Sequence, residues 1–313
     1  MRKHIVNLEK LKPFNVPVCA CIGYFDGMHL GHQKLISETV RLAKEKNCES
    51  ALITFDPDPW VAIKGAQDIR HISTMRQRMN RAIALGIQNI IILNFTREMS
   101  LLEPQQFVDI ILSSINLKGL ICGFDFHYGY MGKGNCDTLR DSISYDLIVI
   151  DAVTDEKGKI SSTRISEAIV HGRMEEAHKM LGYPYQIEGI VMHGNHLGTS
   201  MGFPTINLDF SEEYLLPKTG VYAGYVEVAR KPYRAMINVG HNPTFNFRND
   251  ISVEAHVFNF SDMLYGRHVT FDFLKYMREE RQFRSKNNLI LQLEQDAFSI
   301  KKVLLNYERS ISE

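Results

Sequence analysis

Val16-Pro17-Val18-Cys19-Ala20-Cys21-Ile22-Gly23-Tyr24-Phe25-Asp26-Gly27-Met28-His29-Leu30-Gly31-His32-Gln33-Lys34-Leu35 decides how the first half of this chain folds. An apolar, β-leaning run ends at Gly23, Gly27 and Gly31 break the chain, and Ile36, Val40 and Leu42 continue at helical spacing. The pattern predicts a strand, a tight glycine turn and a helix start, which together present free backbone N–H groups to an anion. His29 and His32 fall on the same side of the first helical turn. Two imidazoles beside a positive helix end suit a polyphosphate whose charge grows during reaction. The plainer alternative is two histidines on a helix surface. Zinc is disfavoured, because Cys19 and Cys21 lie too far back in the strand to complete a ligand set.

Outward from this stretch, Ser50 to Phe55 reads as a strand closed by Asp56-Pro57-Asp58-Pro59-Trp60, whose prolines make the exit extended. Met75 to Leu85 reads as a helix stopped by Gly86, Asn89 to Leu93 as a strand, and Pro104 to Ile115 as an amphipathic helix. Gly119 to Phe126 and Tyr145 to Ile150 complete an alternation that predicts a doubly wound, parallel α/β sheet. Ligands in such sheets bind beyond the carboxyl ends of strands, so Gly23–His32, Thr54-Phe55 and Gly123-Phe124-Asp125 are expected to converge on one crevice. Ile160-Ser161-Ser162-Thr163-Arg164-Ile165 opens a helix whose hydroxyls are caps or phosphate donors. Helical spacing runs on through Ile169, Met174, Ala177 and Leu181 to Gly182-Tyr183-Pro184, which marks the expected domain boundary.

Beyond Gly182 the texture changes to short alternating strands, the pattern of a small antiparallel β-barrel, with a terminal helix from about Asn287 to Tyr307. The expected domains are thus 1–182 and 183–313. Lys plus Arg and Asp plus Glu each number 36, so no net charge argues for nucleic acid. No apolar run approaches a membrane span. The five cysteines, all in the first half, read as reduced, mostly buried thiols in a cytoplasmic protein.

The Gly23–His32 stretch resembles the GxFDGxHxGH motif of the nucleotidyltransferase superfamily, and more closely the N-terminal domain of the bacterial bifunctional riboflavin kinase/FMN adenylyltransferase (FAD synthetase) family. Thr54-Phe55-Asp56-Pro57-Asp58-Pro59 resembles that family's TFxPHP loop, with Asp58 where histidine is expected. Gly123 to Gly129 resembles its GxDFxFG segment, although Asp125 alone would read as a turn residue. Ser161 to Ser166 resembles SSTxIR, with Ser166 at the usual arginine. In the second half, Gly198-Thr199-Ser200-Met201-Gly202-Phe203-Pro204-Thr205-Ile206-Asn207 resembles the GFPTAN loop of riboflavin kinases, with Thr199 replacing a common arginine. Gly220–Gly224, Asn238–Phe245, Val253–His256 and Leu264–Gly266 follow in the family order, so the resemblance covers nearly the whole chain.

The resemblance implies two ATP-dependent steps: phosphorylation of riboflavin to FMN, then adenylyl transfer to FMN giving FAD and pyrophosphate. It implies His29, His32 and Glu254 as catalytic. Gly23, Phe25, Asp26, Gly31, Ser162, Thr163, Arg164, Gly202, Pro204 and Thr205 would bind ATP. Phe55, Pro57, Asp58, Asp125 and Arg278 would bind flavin, and Thr205 with Asn207 would hold Mg2+. Without the resemblance, Glu254 reads as an exposed ion pair and Arg278 as a solvated helix-face charge. Asp58 either points at the flavin phosphate, which it would repel, or caps the next turn. The partners are small molecules, with no nucleic acid and no membrane; a weak homo-oligomer is left open. The alternatives are an enzyme with one weakened half and a non-catalytic flavin-sensing paralogue.

Overall fold

Val18, Ala20 and Ile22 point to one face of their strand, Cys19 and Cys21 to the other, and all five are buried in separate apolar clusters. A strand covered on both faces belongs inside a sheet with helices on each side. The structure is a computed structural model that describes residues 2–65, 69–193, 198, 201–211, 213–241 and 251–311. The chain divides into two compact units, Met1–Ser162 and Thr163–Glu313.

In the first unit the order is β1 (Arg2–Val6), β2 (Phe14–Ile22), α1 (Leu30–Glu45), β3 (Glu49–Asp56), α2 (Pro59–Lys64), α3 (Met75–Ala84), β4 (Asn89–Asn94), α4 (Arg97–Ser100), α5 (Pro104–Gln106), β5 (Ile115–Gly123), α6 (Cys136–Ser142), β6 (Asp146–Ile150), and a small hairpin of β7 (Thr154–Asp155) and β8 (Gly158–Lys159). The main sheet is parallel, ordered β1-β4-β3-β2-β5-β6. The chain steps outward from β2 through β3 to β4, then crosses back to lay down β5 and β6. The reversal falls between β2 and β5, where a doubly wound sheet leaves its binding crevice. α1 covers one face with Leu35, Ile36, Thr39, Leu42 and Ala43.

Two features depart from the sequence reading. β1 is an edge strand with one buried residue, Val6, and its polar sequence carries no strand signal; parallel pairing with β4 and an Arg2–Glu49 ion pair (3.1 Å) hold it. The predicted helix over Pro104–Ile115 is broken up: α5 ends at Gln106, Phe107–Ile111 winds as a wider π-turn, Leu112–Ser114 is a 3-10 turn, and Ile115 already belongs to β5. The wider turn still buries Phe107, Val108 and Ile111, and the 3-10 turn buries Leu112, so the apolar pattern survives the change of winding.

The second unit is α7 (Ser162–Val170, whose first residue closes the first unit), α8 (Met174–Leu181), β9 (Tyr185–Met192), β10 (Ile206–Phe210), β11 (Gly220–Val228), β12 (Lys231–His241), β13 (Ile251–Val257), β14 (His268–Arg278) and α9 (Lys286–Ser310). The single helix expected through Leu181 is two, turned at Gly172. Strands β9–β14 close an antiparallel barrel in the order β10-β13-β12-β11-β14-β9. α8 packs against β9 and β14, burying Met174, Ala177, Met180 and Leu181. α9 sets Ala297, Ile300 and Leu304 into a cluster with Val221, Ala223, Met236 and Leu274 of the barrel wall. Arg278 lies at the end of a strand, so the reading of its segment as a helix is corrected. Thr199 and 242–245 lie outside the described residues.

Candidate active sites

Beyond the carboxyl ends of β2, β5 and β6 lies a cavity of ≈ 380 Å3, whose lining includes Gly23, His29, His32, Asp125, Lys159 and Ser162. His29 caps α1: its Nδ1 accepts from the backbone N–H of Gly31 (3.1 Å) and His32 (3.4 Å). The ring proton of neutral His29 is thereby fixed on Nε2. The ring folds so closely over Gly31 that a Cβ there would lie 3.0 Å from ring carbon Cε1. His32 stacks on His29 with ring centroids 3.7 Å apart, and Phe25 meets His32 edge-on at 5.2 Å. Burial, aided by the charge of Lys159, takes the His29 pKa down to about 4. Burial first, then His29 itself, holds His32 well below the usual imidazole range. Nδ1 of His32 is buried with no hydrogen-bond partner among the described residues. Both rings are thus neutral at pH 7 and offer N–H or lone-pair contacts, not fixed charge. They form part of the cavity wall, so the surface-histidine alternative does not describe them.

Asp26 faces its own chain. Its carboxylate accepts from the backbone N–H of Ile72 (3.1 Å) and Ser73 (3.0 Å) and from Ser73 Oγ (3.2 Å), and Arg78 pairs with it at 3.4 Å. This clamp ties the segment leading into α3 to the glycine turn. Gly27 has φ +72°, and a Cβ there would meet Ile72 Cγ2 at 2.9 Å. Ser162 Oγ donates to the Asp26 carbonyl (3.0 Å), bringing the third motif to the same turn. Thr163 and Arg164 follow it in the first turn of α7.

Phe55 and Pro59 line the cavity, whereas Pro57 and Asp58 are not among its lining residues. Asp58 is 8% exposed and is the N-cap of α2, accepting from the Trp60 N–H at 2.7 Å. Its other oxygen lies 4.0 Å from Nδ1 of His71, which also approaches Asp26 (3.9 Å). Of the two readings of Asp58, the capping one describes these contacts, since a carboxylate satisfies the N–H groups at a helix start. Asp125 does line the cavity, paired with Lys159, whose ammonium lies 4.7 Å from the centroid of the Phe124 ring.

Sequence reasoning missed Lys159, Tyr24, His71 and Arg78. Tyr24 lines the cavity, with Arg78 stacked over its ring at 4.3 Å and its hydroxyl 3.3 Å from His71 Nε2. No motif marks these positions; only Lys159, two residues before Ser161, carried a usable signal, a cation beside a phosphate-type motif.

In the barrel unit, Glu254 on β13 stands in register between Asn207 on β10 and Asn238 on β12. Its carboxylate accepts from Thr205 Oγ1 (3.2 Å) and Asn238 Nδ2 (3.3 Å). Burial raises its pKa against those two hydrogen bonds, with Glu280 adding to the rise. It is therefore not an exposed ion pair. His256 reaches the Pro204 carbonyl at 2.8 Å and steadies the loop that carries Gly202 and Thr205. Arg278 is committed elsewhere: its guanidinium holds Asp296 of α9 in contacts of 2.7–3.1 Å. The reading of Arg278 as a solvated charge is corrected, and its inferred flavin contact meets a side chain already engaged.

Two family models match, "FAD synthetase" over residues 12–164 and "Riboflavin kinase" over residues 181–304. Among curated relatives, the bifunctional riboflavin kinase/FMN adenylyltransferase of Listeria monocytogenes is 35% identical, covering 88% of this chain and 88% of its own. The protein of the same description from Bacillus subtilis is 34% identical, covering 94% of this chain and 93% of its own. A crystal structure described as a macrolide-efflux protein from Streptococcus pneumoniae superposes with a TM-score of 0.88 at 32% identity, covering 96% of this chain and 99% of that one. No helix among the described residues is long and apolar enough to cross a membrane.

Proposed function

The chain belongs to the bifunctional riboflavin kinase/FMN adenylyltransferase family, and from that premise we propose how its two units divide the work and which residues act. The barrel unit phosphorylates riboflavin with ATP, giving FMN and ADP. Glu254 takes or orients the proton of the ribityl 5′-hydroxyl; its raised pKa makes it a better acceptor than an exposed carboxylate. The donors gathered there, the Thr205 hydroxyl, the Asn207 amide and the Glu254 carboxylate, are the oxygens that Mg2+ prefers, so the residues fit the ion. Thr205 and Asn207 would hold Mg2+, which when bound shields phosphate charge.

The sheet unit adenylylates FMN. A phosphate oxygen of FMN attacks the α-phosphorus of a second ATP, the bond to the α–β bridging oxygen breaks, and pyrophosphate leaves with the electron pair. No protein nucleophile is needed, so catalysis is positioning and stabilisation. His29 gives its Nε2–H to the reacting phosphate, its ring held in that orientation by the backbone N–H groups of Gly31 and His32 on Nδ1. Asp26 shapes the turn, while Phe55 and Asp125 border the flavin end. The free, mostly buried thiols support a cytoplasmic setting.

The observation that carries this division is that each unit holds its own complete cluster, the stacked His29–His32 pair in one and Glu254 with Thr205 in the other. Incubation with riboflavin and MgATP, followed by chromatography of riboflavin, FMN and FAD, tests it. Both products are expected in sequence. FMN alone would mean a disabled sheet unit, and neither product a flavin-binding protein without turnover.

A further inference from the structure

We propose that Lys159 is a substrate-contacting residue of the adenylyl transfer, its ammonium leaving Asp125 to hold the triphosphate of ATP in the sheet-unit crevice. The proposal rests on that crevice being the adenylyltransferase site. It begins with the charges that line the cavity. Among the described residues lining it, Lys159 is the lone Lys or Arg, set against the carboxylates of Asp125 and Asp151. His29 and His32 add no positive charge, because the helix-capping hydrogen bonds occupy Nδ1 of His29 and burial keeps both rings neutral. A polyphosphate entering without a cation would meet two like-charged carboxylates in a partly desolvated space.

Lys159 is placed to supply that cation. It ends the β7–β8 hairpin and leads directly into Ile160-Ser161-Ser162, all on the cavity wall. Its charge reaches both His29 and His32, whose proton affinities it lowers, so the ammonium stands within Coulomb range of the atoms that meet the phosphate. Its pairing with Asp125 is open to exchange. The Lys159 and Asp125 side chains are 42% and 55% exposed, and ion pairs that open to water contribute little. The Phe124 ring, 4.7 Å from the ammonium, supports the charge without competing as an acceptor. A phosphate offers more negative charge than one carboxylate, so the ammonium moves to substrate. As the bond between the α-phosphorus and the bridging oxygen breaks, the charge passing to pyrophosphate gathers beside it. No proton is transferred by Lys159.

The test uses the full chain with Lys159→Met and Lys159→Arg. FAD formation from supplied FMN is measured against ATP concentration, pyrophosphate binding by calorimetry, and riboflavin phosphorylation as a check on folding. Lys159→Met should lower kcat/KM for ATP by ~10- to 100-fold and weaken pyrophosphate binding in parallel, the size of one charge-assisted contact. Lys159→Arg should recover most of both. Unchanged kcat/KM in Lys159→Met overturns the proposal. So does a loss that Lys159→Arg fails to rescue while pyrophosphate binding stays intact, because Lys159 would then only be propping Asp125. If the unmodified chain makes no FAD from FMN, the reading of the crevice fails instead. Pyrophosphate binding by the chain with and without Lys159→Met then decides the lysine's role on its own.

Discussion

At the scale of single residues, the neutral histidines have consequences for pH. An unfolded histidine takes its proton near 6.5 and folded His29 only at about 4, so between these values the unfolded chain binds more protons. Stability from this group is complete above about 6.5 and is lost as pH falls toward about 4. Denaturant midpoints of the sheet unit should therefore drop between neutral and mildly acid buffer. His29→Asn, which keeps a capping oxygen but cannot titrate, should flatten that slope; an unchanged slope would mean His29 is protonated in the fold. Asp58 permits a second test. Asp58→Ala should cost about 1 kcal/mol of stability as the α2 cap is lost, and Asp58→Asn less. Asp58→His should not raise FAD synthesis; a rise would restore the view that residue 58 addresses the flavin phosphate. Glu254→Gln should cut riboflavin phosphorylation by ~10²–10⁴-fold and spare FAD formation from supplied FMN. Of the residues read from motifs, His29, His32 and Ser162 line the sheet-unit cavity and Glu254 bonds Thr205, because their motifs specify local geometry. The partners of Asp58 and Arg278, Trp60 N–H and Asp296, were not legible, because they are set by packing that no spacing encodes.

At the scale of elements, α9 is fastened to the barrel by polar as well as apolar contacts. Its Asp296, 6% exposed, binds the Arg278 guanidinium and also accepts from Gln292 (2.9 Å). Asp296→Ala would strand a guanidinium whose side chain is 12% exposed, at a cost of about 3–5 kcal/mol. Urea unfolding of the variant, set beside retained FAD formation from FMN, would localise that loss to the barrel unit. The core strands were legible because both faces are apolar, as in Val18 to Ile22, or because alternation is regular, as in Gly220 to Val228. β1 and β10 were not. The first is a polar edge strand, and the second begins inside a loop motif whose glycine and proline hide the pairing of Asn207 with Glu254. The π-turn after Gln106 was equally invisible, since its apolar residues stay at positions compatible with an α-helix.

At the scale of the whole molecule, the two units offer a division that can be cut. A fragment starting at Thr163 keeps α8, whose Met174, Ala177, Met180 and Leu181 are buried. It should fold by circular dichroism and convert riboflavin to FMN without making FAD. A fragment starting at Tyr183, at the boundary the sequence suggests, exposes the surface α8 covers on β9 and β14 and should melt at lower temperature. Equal stability of the two fragments would show α8 to be dispensable. The chain also carries its own optical reporter. Its single tryptophan, Trp60, is 54% exposed at the start of α2, next in sequence to Pro59 of the crevice wall. The barrel unit contains none. Indole emission overlaps flavin absorption, so quenching during an FMN titration follows loading of the sheet unit through light the protein already emits, with no label attached and no coupled enzyme in the cuvette.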